Sequence, residues 1–420
     1  MDILKFGGAS VKNASAVKNL LDVIKKYKNE DIVIVISAMG KMTNAFEKLM
    51  ESVFHEKEKS EILQNYNEIK KYHLNILEEL FENKENSVFE KINLIFEKIR
   101  AIIENEKPQK YNFLYAKLIS FGEILSTTIV SCYLNCQNVN NEWIDIRKYL
   151  KTDSTFREAK VEWESSSKNI IEEFNFKNTN IYITQGFIAS DKENNTTTLG
   201  REGSDFTGAI LSYILDAQKF VCYKDVAGIF NADPSVFKNT ELLSKISYQE
   251  AIELTYFGAK VIHQKTIKPL QNKNIPLFVK SFIEPEKAGT KIYDFNLQIE
   301  PKIPVFIIKE NQILISISPK DFSFVAEESI SLIYNYIVSH GIKVNLMQNS
   351  ALNFSISVNN NPIKVERFIT QLKEKFKVKY NNNLKLITIR HYNEQSIKQM
   401  TDGKKIFVEQ KSRNTVRIIC

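Results

Sequence analysis

The sequence predicts an α/β fold: an open, mostly parallel sheet with helices on both faces in three αβα layers, followed by a smaller α+β module. Three observations carry this. Aliphatic runs of strand length (DILKF at 2–6, DIVIVIS at 31–37, IYITQGF at 181–187, KFVCYKDV at 219–226) alternate with segments of helical period. Near-continuous β-branched runs are the pattern of parallel strands buried on both faces. After the two prolines of EPKIP (300–304) the order changes to strand, helix, strand, strand, helix, strand over roughly 313–391. A chain of 420 residues exceeds a single core, and this change of pattern divides it into expected domains of residues 1–298 and 299–420.

The elements follow in order. Residues 13–28 have helical spacing between the first two strands. Residues 57–104 read as two exposed helices, interrupted near Asn83–Asn86 and inserted outside the sheet. Helices are expected at 203–215, 247–256 and 263–273, which continues the βα rhythm to about residue 295. In the second region ILISIS (313–318), IKVNLM (342–347), NFSISV (353–358) and LKLITIR (384–390) are strands, with helices near 325–340 and 363–375. IFVEQ (406–410) and VRIIC (416–420) have strand character, but residues 392–420 are too few for a second complete module. The second region gathers no acid, base and nucleophile, so chemistry is expected in the first.

Composition excludes several classes. Net charge is +7, yet lysines are scattered among acids with no basic stripe carrying aromatics, so nucleic acid is not an expected partner. A mildly positive surface suits small anions. Cysteines 132, 136, 222 and 420 make no disulfide framework, and Cys132 and Cys136 read as core packing rather than a metal pair. The longest purely aliphatic stretch, Ile32–Ile36, falls far short of the ~20 residues of a membrane span. The N-terminus has no export pattern, and the cytoplasm is expected.

Six stretches carry candidate polar groups, most of them beside strand ends or helix starts. KFGGAS (5–10) ends the first strand: its glycines let backbone N–H groups approach an oxyanion, and Lys5 can reach phosphate oxygens, although a tight turn with a surface lysine has the same sequence. SAMGKMTN (37–44) ends the second strand on the same sheet edge, with Ser37 and Thr43 as hydroxyl donors or Thr43 as a helix cap. TTTLGREGSDFTGA (196–209) packs Arg201, Gly203, Ser204 and Asp205 into one helix start; a cap needs neither the arginine nor the glycines. YKDVAGIFNADPSV (223–236) and FGAKVIH (257–263) supply Asp225, Asp233 and Lys260. Glu123 in SFGEILST (120–127) lies in an apolar helix, where an unpaired carboxylate is costly, so a cationic partner is expected.

Taken in this order, the stretches resemble those of the aspartate kinases (aspartokinases) of the amino-acid kinase family. KFGGAS stands where that family has KFGGTS, and SFGEILST matches its SFGE segment. TTTLGREGSD is similar to TLGRGGSD, YKDVAGIFNADPSV to TDVDGIYTADPR, and FGAKVIH to FGAKVLHP. The C-terminal βαββαβ region resembles the ACT regulatory units that follow the kinase domain there. The resemblance implies ATP-dependent phosphorylation of the β-carboxylate of L-aspartate, with Mg²⁺, as the entry to lysine, threonine and methionine synthesis. It also implies a lysine or threonine effector at the ACT region and a homodimer or higher homo-oligomer.

By motif position the family's roles fall on Lys5 and Asp205 for catalysis, Asp205 organising either Lys5 or Mg²⁺. Lys5, Gly7, Gly8, Ser37, Asp225, Phe230, Asp233 and Lys260 would serve the nucleotide. Thr43, Glu123, Phe187, Arg201, Gly203 and Ser204 would serve aspartate, Arg201 on the α-carboxylate and Glu123 on the α-ammonium. The sequence departs from the pattern at Ala9, Glu202, Gln264 and Ser235, the last replacing an arginine expected on the ATP phosphates. Two other readings fit the motifs: a kinase of glutamate or acetylglutamate, and a degenerate kinase that senses amino acids.

Overall fold

The computed structural model describes residues 1–27, 29–82, 87–105, 110–259, 262–295, 299–321 and 323–420. Its contacts divide the chain into two compact units. The first comprises Met1–Ile229, Leu242–Ile252 and Lys260–Glu300; the second comprises Phe230–Glu241, Glu253–Ala259 and Pro301–Cys420.

The chain opens with β1 (Asp2–Phe6), α1 (Ala14–Lys25) and β2 (Ile32–Ile36), followed by α2 (Met42–Phe54), α3 (Lys59–Leu80), α4 (Ser87–Asn105) and α5 (Tyr111–Cys136). Next come β3 (Glu142–Ile144), α6 (Trp163–Glu173), β4 (Ile181–Gln185), and the hairpin of β5 (Ile188–Ser190) and β6 (Thr196–Thr198). Then α7 (Gly203–Ile214), β7 (Lys219–Lys224), β8 (Lys245–Ser247), α8 (Tyr248–Phe257), α9 (Gln264–Asn272), β9 (Leu277–Ser281), β10 (Thr290–Tyr293) and β11 (Ile299–Glu300) complete the series. The nine-stranded sheet runs β11-β8-β10-β9-β7-β1-β2-β4-β3, parallel throughout its β9-to-β3 half. Every residue of β1, β2 and β4 is buried, as strands covered on both faces require. α7 covers β1, β2 and β7, while α5 covers β2, β3 and β4.

Two sequence expectations are corrected in this unit. α3 and α4 are not exposed: α3 buries Tyr66, Ile69, Ile76 and Leu77, and α4 buries Val88, Ile92, Phe96 and Ile99, because apolar residues at helical spacing need a partner surface. α3 also braces the site loops, Tyr72 Oη donating to the Lys12 carbonyl against Gly40. The interruption near Asn83–Asn86 lies outside the described residues. α5 is long and apolar enough to cross a membrane, but its most apolar window is 83% buried inside the protein, which makes it a core helix. At its end Cys132 is half-buried and Cys136 exposed, so neither is the core residue expected.

The second unit holds β12 (Val305–Pro319), α10 (Glu327–Ser339), β13 (Val344–Asn349), β14 (Phe354–Asn359), α11 (Pro362–Lys375) and β15 (Phe376–Arg390). It closes with α12 (Glu394–Thr401), β16 (Val408–Lys411) and β17 (Thr415–Ile419). These strands form one antiparallel six-stranded sheet, β13-β14-β12-β15-β17-β16. The expected βαββαβ order is present, with α10 and α11 packed through Ile333, Ile337, Phe368 and Leu372 on Ile315 and Ile356. The chain's end adds β16 and β17 to the far half of β15, and α12 packs there through Ile397 and Met400.

Candidate active site

The site stands at the C-terminal ends of β1, β2, β4 and β7, where parallel strands hand over to loops and helix starts. The loops after β1 and β2 are locked together: Gly40 N donates to Gly8 O at 2.9 Å and Ser37 N to Phe6 O at 3.1 Å. A Cβ at Gly8 would lie 2.8 Å from the carbonyl oxygens of both Ala38 and Gly40. This glycine is therefore required by loop packing, before any ligand is considered. Gly186 does the same at the end of β4, where a Cβ would meet Ser204 Cβ at 2.4 Å.

One cavity of about 540 Å³ collects the predicted residues Lys5, Ser37, Thr43, Glu123, Phe187, Arg201, Gly203, Ser204 and Asp205. At one end Asp205, 2% exposed, holds two ammonium groups. Lys5 Nζ lies 2.6 Å from Oδ1 and Lys224 Nζ 3.0 Å from Oδ2, while Cys222 Sγ donates to Oδ1 at 3.5 Å. Burial alone would push this carboxyl up, but Lys5 and Lys224 hold it well below the usual carboxylate range. Burial likewise opposes the charge on Lys224, and Asp205 overcomes it, raising that pKa. The cluster is thus an ionised carboxylate fixing two charged lysines.

The other end is built differently. Glu123, on α5, is 2% exposed, and its Oε1 accepts from the Ala38 amide at 3.2 Å. Its Oε2 has no hydrogen-bond partner among the described residues. The cationic partner expected from the sequence is absent among them, and burial pushes this carboxyl up to about 8 against the weaker pull of the amide. Arg201 is exposed at the cavity wall, with no ion-pair partner among the described residues.

Thr43 is the second residue of α2 rather than its cap, which is Lys41. Gly7 precedes the short 3₁₀ turn Gly8–Val11. Asp225 is exposed, directly after Lys224. Phe230 and Asp233 belong to the second unit, where Asp233 Oδ1 accepts from Ser235 N at 2.9 Å and Ser235 Oγ at 2.6 Å. Lys260 lies outside the described residues.

Seven cavity residues were not anticipated as site groups: Glu47, Tyr115, Arg157, Glu158, Gly200, Glu202 and Lys224. Lys224 sits in the strand run KFVCYK, beside the β1 register that pairs Phe6 with Tyr223, and a lysine ending a buried parallel strand was the signal. Arg157 stacks on Tyr115, its Cζ 4.4 Å from the ring centroid, and Tyr115 Oη donates to Glu47 at 2.9 Å. Phe156 and Glu158 flank Arg157 with φ of 62° and 58°, conformations unusual for residues with a side chain, and no motif announces that loop. Glu202 is the cap of α7 with φ of 54°, and its Oε2 is buried without a partner among the described residues. A left-handed cap is where glycine is easiest, so this departure from the resembling pattern carries strain.

The amino acid kinase family profile matches residues 2–281, and the chain belongs to that family. Among curated relatives, the bifunctional aspartokinase/homoserine dehydrogenase of Buchnera aphidicola is 33% identical over 313 residues. That match covers 70% of this chain but 37% of the longer protein, so this chain spans little more than a third of it. The lysine-sensitive aspartokinase 3 of Escherichia coli is 29% identical over 361 residues, covering 85% of this chain and 78% of that one. Among solved structures, E. coli aspartokinase III in complex with lysine and aspartate superposes with a TM-score of 0.82 at 25% identity, covering 100% of this chain and 96% of that one.

Proposed function

We propose that this chain is an ATP-dependent aspartate kinase, moving the γ-phosphoryl group of ATP to the β-carboxylate of L-aspartate and giving 4-phospho-L-aspartate and ADP. The observation that carries it is one cavity lined both by two lysines paired to Asp205 and by Glu123 and Arg201, a buried carboxylate and an arginine without ion-pair partners among the described residues. A zwitterionic amino acid bearing a second carboxylate complements that arrangement. Its ammonium would take Glu123, its α-carboxylate Arg201, and its β-carboxylate would face Lys5 and Lys224.

The attacking carboxylate is ionised at neutral pH, since its ordinary pKa is about 3.9, so no general base is required. The barrier is the meeting of two anions. Lys5 and Lys224, immobilised by Asp205, offset that repulsion without reorganising as charge shifts from the transferring phosphoryl to ADP. Ser37, Thr43, Ser204 and the amides near Gly7 and Gly203 would orient the reactants, while Phe187 packs against Gly203. Asp225, Phe230, Asp233 and Lys260 are assigned to the nucleotide by motif position.

Both oxygens of Asp205 are taken by lysines, and no cluster of three or more His, Cys, Asp or Glu suited to a metal ion occurs among the described residues. In this reading Mg²⁺ would be held by the nucleotide phosphates rather than by a protein ligand set, and when bound would supply masking of part of their charge. The ACT-like second unit would receive a lysine or threonine effector, in a cytoplasmic homodimer or larger homo-oligomer. The test is ADP release by the purified protein with aspartate, glutamate or acetylglutamate, each with and without lysine or threonine. Turnover with aspartate alone is expected. Preference for acetylglutamate, or no turnover with any acceptor, would overturn the assignment.

A further inference from the structure

A second concentration of charge lies within the second unit. Lys309, at the register shift of β12, is half-buried and donates to Asn345 Oδ1 at 3.1 Å. Arg417, on β17, is also half-buried and donates to the backbone carbonyl of the same Asn345. Its guanidinium lies 5.1 Å from the Phe257 ring centroid, and its Nε is buried with no hydrogen-bond partner among the described residues. Asn345 is itself fixed from below, its Nδ2 donating to Gln312 Oε1 and Asn359 Oδ1, each at 2.8 Å. Two cations therefore converge on one fixed residue, Lys309 on its side-chain oxygen and Arg417 on its backbone carbonyl. Exposed Lys343 adds a third: its charge and that of Arg417 join burial in lowering the pKa of Lys309 to about 8.

No carboxylate answers these charges among the described residues. Glu310, adjacent in sequence, is engaged by Lys385 at 2.9 Å. The C-terminus of α8 does face the cluster, since a Cβ on Gly258 would lie 2.7 Å from Lys309 Cε. A helix end supplies roughly half a negative charge against three positive ones. The deficit of more than two charges, partly removed from water, is what a doubly charged anion would fill.

We propose that Lys309, Lys343 and Arg417, arranged over Asn345 beside the end of α8, form a binding site for a phosphate-type dianion, either free phosphate or the phosphate group of a metabolite. The guanidinium and ammonium groups suit tetrahedral oxygens, and the orphaned Nε supplies a directed donor. The ligand would relieve the mutual repulsion of the three cations.

The experiment is calorimetric titration and thermal melting of the full chain with inorganic phosphate, with glycerol phosphate and with acetate, at matched ionic strength. The comparison proteins are Lys309→Met/Lys343→Met and, to preserve all packing, Lys343→Ala alone. Any phosphate held at the kinase cavity is common to all three proteins, so only the difference is read. Wild type is expected to bind phosphate or glycerol phosphate at least tenfold more tightly than the double variant and about threefold more tightly than Lys343→Ala, with acetate weak in all. Whichever phosphate binds better identifies the free or the esterified source. In phosphate-free buffer the double variant should melt no lower than wild type, because a repulsion has been removed. Equal phosphate affinity in all three proteins, or discrimination of acetate no different from phosphate, overturns the site.

Discussion

Glu123 and Asp205 line the same cavity, are buried to the same degree, and sit in opposite electrostatic states. Asp205 has two lysines and a carboxyl held far below its usual range; Glu123 has one backbone amide, an orphaned oxygen and a carboxyl pushed up to about 8. The contrast teaches where the fold is complete and where it waits for a ligand. In the proposed reading, the lysine cluster is finished in the protein alone because two fixed cations must be present before the anionic phosphates arrive, and Glu123 is left open because the substrate brings its own cation.

Breaking the comparison at Asp205 should have the largest effect. Asp205→Asn leaves Lys5 and Lys224 buried side by side with no counter-charge, which costs on the order of 3–5 kcal/mol, read by denaturant unfolding. Turnover should fall at least a hundredfold. The sign with pH follows from the depressed carboxyl. Asp205's stabilisation is present above the unfolded carboxylate value of about 3.9 and is lost as pH falls through its lower folded value. Acid unfolding of wild type should steepen below about pH 4, and that component should vanish in the variant.

Glu123→Gln comes next and separates stability from function. A carboxyl raised by burial binds its proton more tightly folded than unfolded, so Glu123 costs stability increasingly as pH rises from about 4.3 through its folded value near 8. The variant should therefore melt higher than wild type at pH 8.5, while its KM for aspartate rises about a hundredfold and its KM for ATP stays within threefold. A smaller change is expected at Arg157, which stacks beside Glu123's end of the cavity. Arg157→Gln should raise the KM for aspartate several-fold with little change in melting. The smallest effect belongs to Glu202→Gly, which relieves a left-handed cap and should stabilise the protein by about 1 kcal/mol in chemical denaturation.

The same division explains what could be read from the sequence. The parallel strands were legible because burial on both faces leaves continuous aliphatic runs, and KFGGAS and SAMGKMTN met in one cavity because parallel strands share a carboxyl edge, with SFGEILST joining from α5 and GREGSD from the start of α7. Lys224 and Arg157 were not seen as site residues. Lys224 ends a strand whose pattern draws attention to its aliphatic members, and Arg157 depends on a loop conformation with two non-glycine residues at positive φ, which no local motif encodes. The partner of Glu123 was misjudged for a physical reason: burial cost predicts a cation, but that cation is absent among the described residues and is supplied by the substrate in the proposed reading. The exposed look of α3 and α4 arose from charged outer faces that hide a single buried stripe.

The most direct measurement is the affinity of the protein for L-aspartate between pH 6 and 9, by calorimetry, in wild type and Glu123→Gln. The account predicts that wild-type affinity climbs close to tenfold per pH unit up to about 8 and then levels, whereas the variant binds weakly and without that dependence. A wild-type profile flat across this range, or one reproduced by the variant, would contradict the claim that a buried, unpaired carboxylate awaits the substrate's ammonium.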